Sequence, residues 1–447
     1  MGALYMYISI FTAQLSFMVA SFAVTWSSPM LVKLNGTDDN PLGYVISKTE
    51  NSFLASTNIL GAVIGSVGFG LLDHTFGRKT LLLVLGLPSL IFYSVMAWCK
   101  VMWLLMVSRF VIGLSLGGIF TILPMYCGEV ADAKNRGILS ASMTVFVNIG
   151  MLVPYAVGPF IPYFWFHIVL ATISGIYIVL FYFFAPESPY HLIKTDEDAA
   201  RNVLLKLRNK EDVPQIIEEM RLSLKQTTDV SIMEILRSRG LRKTLIIGLG
   251  GFTFSQLTGT VIVATYSQTI FEESGTGISS DICPILVAVA QLIMTVFVSA
   301  IVDRYPRKFL LTLSHLLVSL VQIPFGAYFF LKKHDYDVDS INWLPLVCLI
   351  VYVCVYNIGV GPILMTFLGE LFPPKVKGLA IACMTSYNWT GSFLLTTFFN
   401  TLNDAIGIGI LFWIFSVSGF LATIFIKFFM IETKGKTLEE IQEEINT

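Results

Sequence analysis

The sequence predicts an all-α polytopic membrane protein, with twelve transmembrane helices arranged as two six-helix bundles. Three observations predict it. The 447 residues are 55% hydrophobic and only 13% charged, against about 25% charged in a typical soluble domain, which leaves no room for a solvated surface of ordinary size. Twelve apolar runs each approach the roughly 20 residues that cross a bilayer as a helix. Short charged phrases recur in the same order in the two halves of the chain.

The first six runs lie near 5–27, 53–72, 80–99, 102–126, 139–160 and 165–185. The second six lie near 243–270, 282–302, 309–331, 342–368, 378–402 and 408–430. Between the sets runs a polar, charged segment with helical stretches, Glu197–Leu207 and Val213–Leu224. The expected organisation is a bundle over 1–185, a cytoplasmic helical linker over 186–242, a second bundle over 243–430 and a cytoplasmic tail over 431–447.

Basic residues set the orientation. Arg78 and Lys79, Lys134 and Arg136, Arg304, Arg307 and Lys308, Lys375 and Lys377, and Lys434 and Lys436 all fall on one side, as do the basic residues of the linker. The opposite side holds only Lys33, Lys48, Lys100, Lys332 and Lys333. Both termini and the linker are therefore expected in the cytoplasm. Asn35-Gly36-Thr37 then lies outside as a glycosylation sequon, whereas Asn388-Trp389-Thr390 sits inside a span and should stay bare. The N-terminus enters an apolar run at once without a small-residue cleavage site, so no removed leader is expected.

Composition excludes several classes. A net charge of -1 gives no footprint for nucleic acid. The six cysteines lie in or beside apolar runs, without metal-ligand spacing, and are expected to be packing residues. No Gly-Lys-Ser/Thr phosphate loop appears. No metal, cofactor or enzymatic chemistry is expected, and nothing in the sequence speaks to oligomeric state.

The internal repeat is the strongest local signal. Glu129 is followed seven residues later by Arg136-Gly137, and Glu370 by Lys377-Gly378; each acid follows a proline, Pro124 or Pro362. Asp73 with Gly77-Arg78-Lys79 matches Asp303-Arg304 with Pro306-Arg307-Lys308. Pro186-Glu187-Ser188-Pro189 matches Ile431-Glu432-Thr433-Lys434-Gly435. These pairs stand roughly 230–245 residues apart. Duplicated six-helix halves are a transporter architecture with the substrate site between the repeats at the membrane midplane.

Arg109-x-x-x-Gly113, Pro124-x-Tyr126-x-x-Glu129, Arg136-Gly137, Pro186-Glu187-Ser188-Pro189, Gln256-Leu257-Thr258-Gly259, Gly359-x-Gly361-Pro362, Glu370 and Glu432-Thr433-Lys434-Gly435 together resemble the sugar porter family of the major facilitator superfamily. Thr25-Trp26-Ser27-Ser28-Pro29 and Pro189-Tyr190 resemble its insect facilitated trehalose transporter-like branch. The resemblance covers nearly the whole chain. It implies a major facilitator fold in the plasma membrane, rocking between outward-open and inward-open states around a small sugar or polyol.

Charges are costly within a span and collect at its ends. Arg78, Glu129, Arg136, Glu187, Asp303, Arg307, Glu370, Lys377 and Glu432 all fall at cytoplasmic helix ends. The resemblance assigns them to inter-bundle ion pairs that hold the inside closed. One exposed pair is worth about 0–1 kcal/mol, a scale suited to a gate that breaks in every cycle. Plain topology signals and helix caps are the alternative reading. Loop 2–3 departs from the family pattern, with His74 where an acid is usual, and loop 8–9 carries Pro306 for glycine.

Glycine and proline interrupt two spans, the seventh after Gln256 and the tenth at Gly359, Gly361 and Pro362. Freed backbone groups there must face a cavity or another helix, because lipid cannot satisfy them. A neutral polyol needs amides and hydroxyls beside an aromatic face. Family-matching candidates are Gln256, Gln291, Asn357, Asn388 and Trp389, with Ser255, Thr144 and Asn148 in similar roles. Helix-to-helix hydrogen bonding is the alternative for each. The pocket departs from the family pattern in carrying Ser255 for a glutamine, Val261 for an asparagine, Thr144 for a glutamine and Leu364-Met365 for Pro-Trp. Each lost amide removes a partner worth about 0.5–1.5 kcal/mol, so the pocket is less polar than that of a standard hexose carrier.

Proton-coupled members of the family carry an acid in the first span, and residues 1–37 contain no Asp or Glu. Facilitated transport of a hexose or trehalose-like sugar is the expectation. A proton symporter using another acid and a non-transporting sugar sensor are the alternatives.

Overall fold

In the computed structural model the residues described are 2–37, 39–72, 75–132, 136–208, 212–226, 239–301, 304–364, 372, 374–434, 436, 440 and 444. The first six spans are built from α1 (Gly2–Thr25), continued after Trp26 by α2 (Ser27–Asn35), then α3 (Lys48–Leu72), α4 (Arg78–Ala97), α5 (Met102–Val130), α6 (Arg136–Val157) and α7 (Tyr163–Phe184). Three short helices follow, α8 (Pro189–Thr195), α9 (Glu197–Leu207) and α10 (Val213–Gln226). The second set is α11 (Arg239–Gln256) with α12 (Thr260–Ser274), α13 (Cys283–Ile301), α14 (Arg307–Lys333), α15 (Leu344–Ile358), α16 (Pro374–Ile406) and α17 (Ile408–Phe429). The chain has the twelve-helix major facilitator fold. Ten described helical stretches are long and apolar enough to span a bilayer, and α6 contributes a shorter apolar stretch, Ser142–Val157.

The repeat seen in sequence reappears as a repeat of contacts. The second span of the first set, α3, packs on α16, the fifth span of the second set; α6, the fifth of the first, packs on α13, the second of the other. One pairing used twice is what a two-fold relation between repeats produces.

Within the first set, α3 and α5 cross at backbone contact. Gly61 and Gly65 on α3 and Gly113 and Gly117 on α5 lie four residues apart on each helix. A β-carbon at Gly113 would strike the Asn58 carbonyl oxygen, and one at Gly61 the carbonyl of Phe110. Small residues at this spacing let two backbones meet in a medium where hydrophobicity gives helices no reason to associate.

The described part of the linker is amphipathic. Asp196 caps α9 by accepting from the Ala199 N–H at 3.0 Å, and Leu204, Val213, Ile217 and Met220 form a small core of their own. Arg221 pairs with Glu197 at 2.5 Å, and hydrogen bonding to that carboxylate holds the guanidinium pKa above its ordinary value. Arg208 donates to the Ala131 carbonyl at 2.8 Å and pairs with Asp132 at 2.6 Å, fastening the linker to the loop after α5. All six cysteines are free thiols.

Candidate substrate site and gates

The site begins with two interruptions of helix. α11 stops at Gln256 because Gly259 adopts φ +82°, a left-handed conformation that glycine takes without strain. The carbonyl freed at Thr258 accepts from Gln322 Nε2 at 2.6 Å and from the Tyr352 hydroxyl at 3.1 Å. Those two donors let non-helical backbone persist at membrane depth. α15 stops at Ile358, and Gly359 lies so close to α14 that an added β-carbon would strike the Leu310 carbonyl oxygen. The chain then resumes as helix over 360–364.

Between these breaks lies a cavity of about 170 Å³. Val24 and Met151 reach it from the first set of helices. Phe252, Ser255, Gln256, Thr260, Val261, Ala264, Tyr356, Val360, Gly361, Leu364, Asn388, Trp389 and Ser392 line it from the second. Gln256 Nε2 donates to Asn388 Oδ1 at 2.6 Å, and Ser392 Oγ donates to Gln256 Oε1 at 3.0 Å. Both ends of the glutamine amide are thereby oriented. The Trp389 ring meets Phe120 edge-on with centroids 5.5 Å apart. Its buried indole N–H finds no acceptor among the described residues. The wall therefore offers amides, hydroxyls and an aromatic face.

Four of the sequence candidates, Ser255, Gln256, Asn388 and Trp389, meet in this cavity. Gln291 and Asn357 do not line it. Gln291 Nε2 donates to Asn148 Oδ1 at 3.0 Å, Asn148 Nδ2 donates to Thr295 Oγ1 at 2.6 Å, and Thr295 Oγ1 donates to Asn357 Oδ1 at 3.1 Å. They form a polar bridge from α6 through α13 to α15. Thr144 is half-buried on α6 and is not among the lining residues. Ser392, Thr260 and Tyr356 are lining residues the sequence did not single out; a hydroxyl in a span is usually bonded to its own helix and gives no separate signal. Met365 lies outside the described residues.

At the charged helix ends, two acids from matched positions do one job. Glu187 accepts from the backbone N–H of Lys79 at 2.8 Å and of Ser188 at 2.9 Å, its second oxygen facing the Thr80 N–H at 3.4 Å. Glu432 accepts from the N–H of Arg307 at 3.1 Å, Lys308 at 3.0 Å and Lys434 at 2.9 Å. Each carboxylate caps the start of the third span of its own set, α4 or α14, where orphan N–H groups and the helix dipole favour an anion. Glu129 pairs with Arg78 and accepts from Ser188 Oγ. These described contacts tie helices of the same set to each other. Asp303 and Glu370 lie outside the described residues, as do the side chains of Arg136 and Lys377.

At the far end the two sets meet directly. Lys48 at the start of α3 reaches Asp404 at the end of α16, 2.8 Å from each carboxylate oxygen. Asn400 donates to Ser52 Oγ at 3.0 Å. Deeper in, the Tyr155 hydroxyl donates to the Ala264 carbonyl at 2.6 Å, and the Gln268 N–H donates to Ser28 Oγ at 3.0 Å. These contacts join the two sets on this side of the cavity.

Arg109, part of a sequence motif but given no role there, is fully buried in α5. It donates to the Ala23 carbonyl at 2.7 Å, Ser27 Oγ at 2.7 Å and Asn58 Oδ1 at 2.8 Å. The guanidinium also lies 4.5 Å from the Trp26 ring centroid, and Trp26 Nε1 donates to His167 at 2.9 Å. A cation inside a span normally needs a counter-ion. Here its described partners are carbonyls, neutral side chains and an aromatic face.

The profile of the family described as "Sugar (and other) transporter" matches residues 5–445. The chain belongs to this family. It is 32% identical over 444 residues to a protein of Drosophila yakuba named "Facilitated trehalose transporter Tret1", covering 98% of this chain and 51% of that one. A protein of the same name from Polypedilum vanderplanki is 30% identical over 452 residues, covering 99% of this chain and 89% of that one. The chain spans about half the length of most of the Drosophila relatives it matches. Among solved structures, the proton:xylose symporter XylE bound to 6-bromo-6-deoxy-D-glucose superposes with a TM-score of 0.83 at 23% identity, covering 99% and 100% of the two chains. The inward-open xylose transporter XylE from E. coli gives 0.82 at 22% identity, covering 98% and 99%. This family member shares their fold.

Proposed function

We propose that the chain is a facilitative carrier that moves a sugar, a hexose or trehalose-like, across the plasma membrane by alternating access. One observation carries the reading: among the described residues, the cavity wall between the two broken spans offers amides, hydroxyls and tryptophan, and no Asp, Glu, Lys, Arg or His. Such a wall suits a neutral polyol, whose hydroxyls both donate and accept. Ser255, Gln256, Asn388 and Trp389 contact the sugar. Gln291, Asn357 and Thr144 act from outside the described cavity.

The moving parts are the bundles 1–185 and 243–430, with the segment 186–242 riding on the first. Both termini face the cytoplasm and Asn35, exposed at the end of α2, carries a glycan. The charged helix ends are the cytoplasmic gate, with Arg136, Asp303, Glu370 and Lys377 completing what Arg78, Glu129, Glu187, Arg307 and Glu432 begin. Uniport is supported by the neutral surroundings of Arg109 and by the acid-free residues 1–37. The names of the relatives, facilitated trehalose transporters, point the same way.

Reconstituted in proteoliposomes, the chain should equilibrate a labelled sugar from a panel of hexoses and trehalose, with no change when a proton gradient is imposed or collapsed. Accumulation above the outside concentration that vanishes with a protonophore would contradict uniport. Absence of flux and of binding for the whole panel would contradict the sugar assignment.

A further inference from the structure

A second cavity lies far from the transport path, on the outer face between α4 and α7. It measures about 310 Å³ and is lined by Thr80, Leu83, Val84 and Leu87 on one side and by Ile178, Val179, Tyr182 and Phe183 on the other. Val84, Leu87, Val179, Tyr182 and Phe183 are all exposed, so the groove opens to whatever surrounds the bundle. That surrounding is lipid at this depth.

What distinguishes this strip from the rest of the lipid-facing surface is the group at its mouth. Lys79 Nζ stands 2.9 Å from the Tyr182 carbonyl, to which it donates, and 5.4 Å from the Tyr182 ring centroid. Neither contact cancels its charge. Glu187 is the neighbouring acid and attracts the ammonium from a distance, while its oxygens accept from the N–H groups of Lys79, Thr80 and Ser188 rather than from Lys79 Nζ. The other cation of the loop, Arg78, is paired with Glu129. A half-buried ammonium therefore stands beside the groove, next in sequence to its lining residue Thr80 and bonded to the backbone of its lining residue Tyr182. Tyr182 and Phe183 flank it, as aromatic side chains do at a membrane interface.

We propose that the groove holds an acyl chain of one anionic phospholipid, with the phosphate on Lys79. Charge complementarity selects that occupant. An apolar groove alone would take any acyl chain, whereas a basic group between two spans at the cytoplasmic surface favours acidic headgroups, by about 1 kcal/mol per lysine, or about five-fold. The leaflet named here rests on the proposed orientation; the site itself does not, because the chemistry of groove and ammonium is the same in either leaflet.

The test is native mass spectrometry of the delipidated full chain in detergent, titrated with phosphatidylserine and with phosphatidylcholine of identical acyl chains. Phosphatidylserine should be retained about five-fold better. Lys79→Gln should reduce its retention to the phosphatidylcholine level, and Lys79→Arg should preserve it. Val84→Trp, an exposed position whose substitution leaves the bundle core untouched, should fill the groove and lower retention of phosphatidylserine in an otherwise folded protein. Equal retention of the two lipids by the unaltered chain overturns the proposal, as does unchanged retention in Lys79→Gln. Loss with Lys79→Gln but none with Val84→Trp overturns it too, because the headgroup would then bind without the groove.

Discussion

The two sets of six helices descend from one repeated plan and use it differently. In the first set α3 and α5 touch backbone to backbone at Gly61, Gly65, Gly113 and Gly117, and the buried Arg109 is ringed by acceptors from α1, α2 and α3. In the second set two spans are broken, at 257–259 and at Gly359, and the cavity opens between the breaks. Thirteen of its lining residues come from this set and two, Val24 and Met151, from the first. The difference teaches that one half packs backbone to backbone while the other accepts a broken helix because the carbonyl freed at Thr258 finds donors in Gln322 and Tyr352. A substitution in the first half should therefore be read in stability, and one in the second in transport.

The largest effect is expected at the glycine crossing. Gly113→Leu drives a side chain into the backbone of Asn58, and should prevent recovery of folded protein on size-exclusion chromatography. Gly68→Leu is the control: nothing stands within 4 Å of a β-carbon at that position of the same bundle, so it should yield a normal folded peak. Equal behaviour of the two variants would break the claim that the first half is closely packed.

Next comes the arginine. Asn58→Leu keeps the volume and removes the acceptor 2.8 Å from Arg109. A buried charge short of a partner costs about 1.5–3 kcal/mol, so thermal unfolding should shift downward by that amount, with substrate affinity unchanged in the protein that remains folded. A normal melting temperature would mean that Ser27, Ala23 and Trp26 suffice.

In the second half the smaller change should appear in function alone. Ser392→Ala leaves Gln256 Oε1 without its donor, a loss of about 1 kcal/mol, and should raise the half-saturating sugar concentration about five-fold while thermal unfolding stays put. Ser392→Thr should restore it. Lowered stability without a change in half-saturation would make Ser392 part of the packing.

Much of this was legible beforehand, for identifiable reasons. Hydropathy pointed to the ten long apolar stretches and the shorter one in α6 because lipid tolerates few charges, and the matched Glu187 and Glu432 stood out because each caps a helix start that both repeats contain. The breaks at Gly259 and Gly359 were legible because glycine there meets a left-handed turn or a neighbouring backbone. What was not legible is rotation about a helix axis. Every amide in a span looks alike in sequence, yet Gln256 and Asn388 face the cavity while Gln291 and Asn357 face Asn148 and Thr295. Nor does a motif disclose that the charge of Arg109 is met by an indole and four oxygen acceptors.

The claim that the broken-helix half holds the substrate is tested most directly by sugar binding to two single variants across the same cavity. Gln256→Ala should weaken binding by about 1–2 kcal/mol, or roughly five- to thirty-fold. Met151→Ala, which opposes it from the first half, should change binding by less than about two-fold, since it withdraws only flexible apolar contact. Unaltered binding of every sugar by Gln256→Ala, or an equal loss in Met151→Ala, would contradict the account.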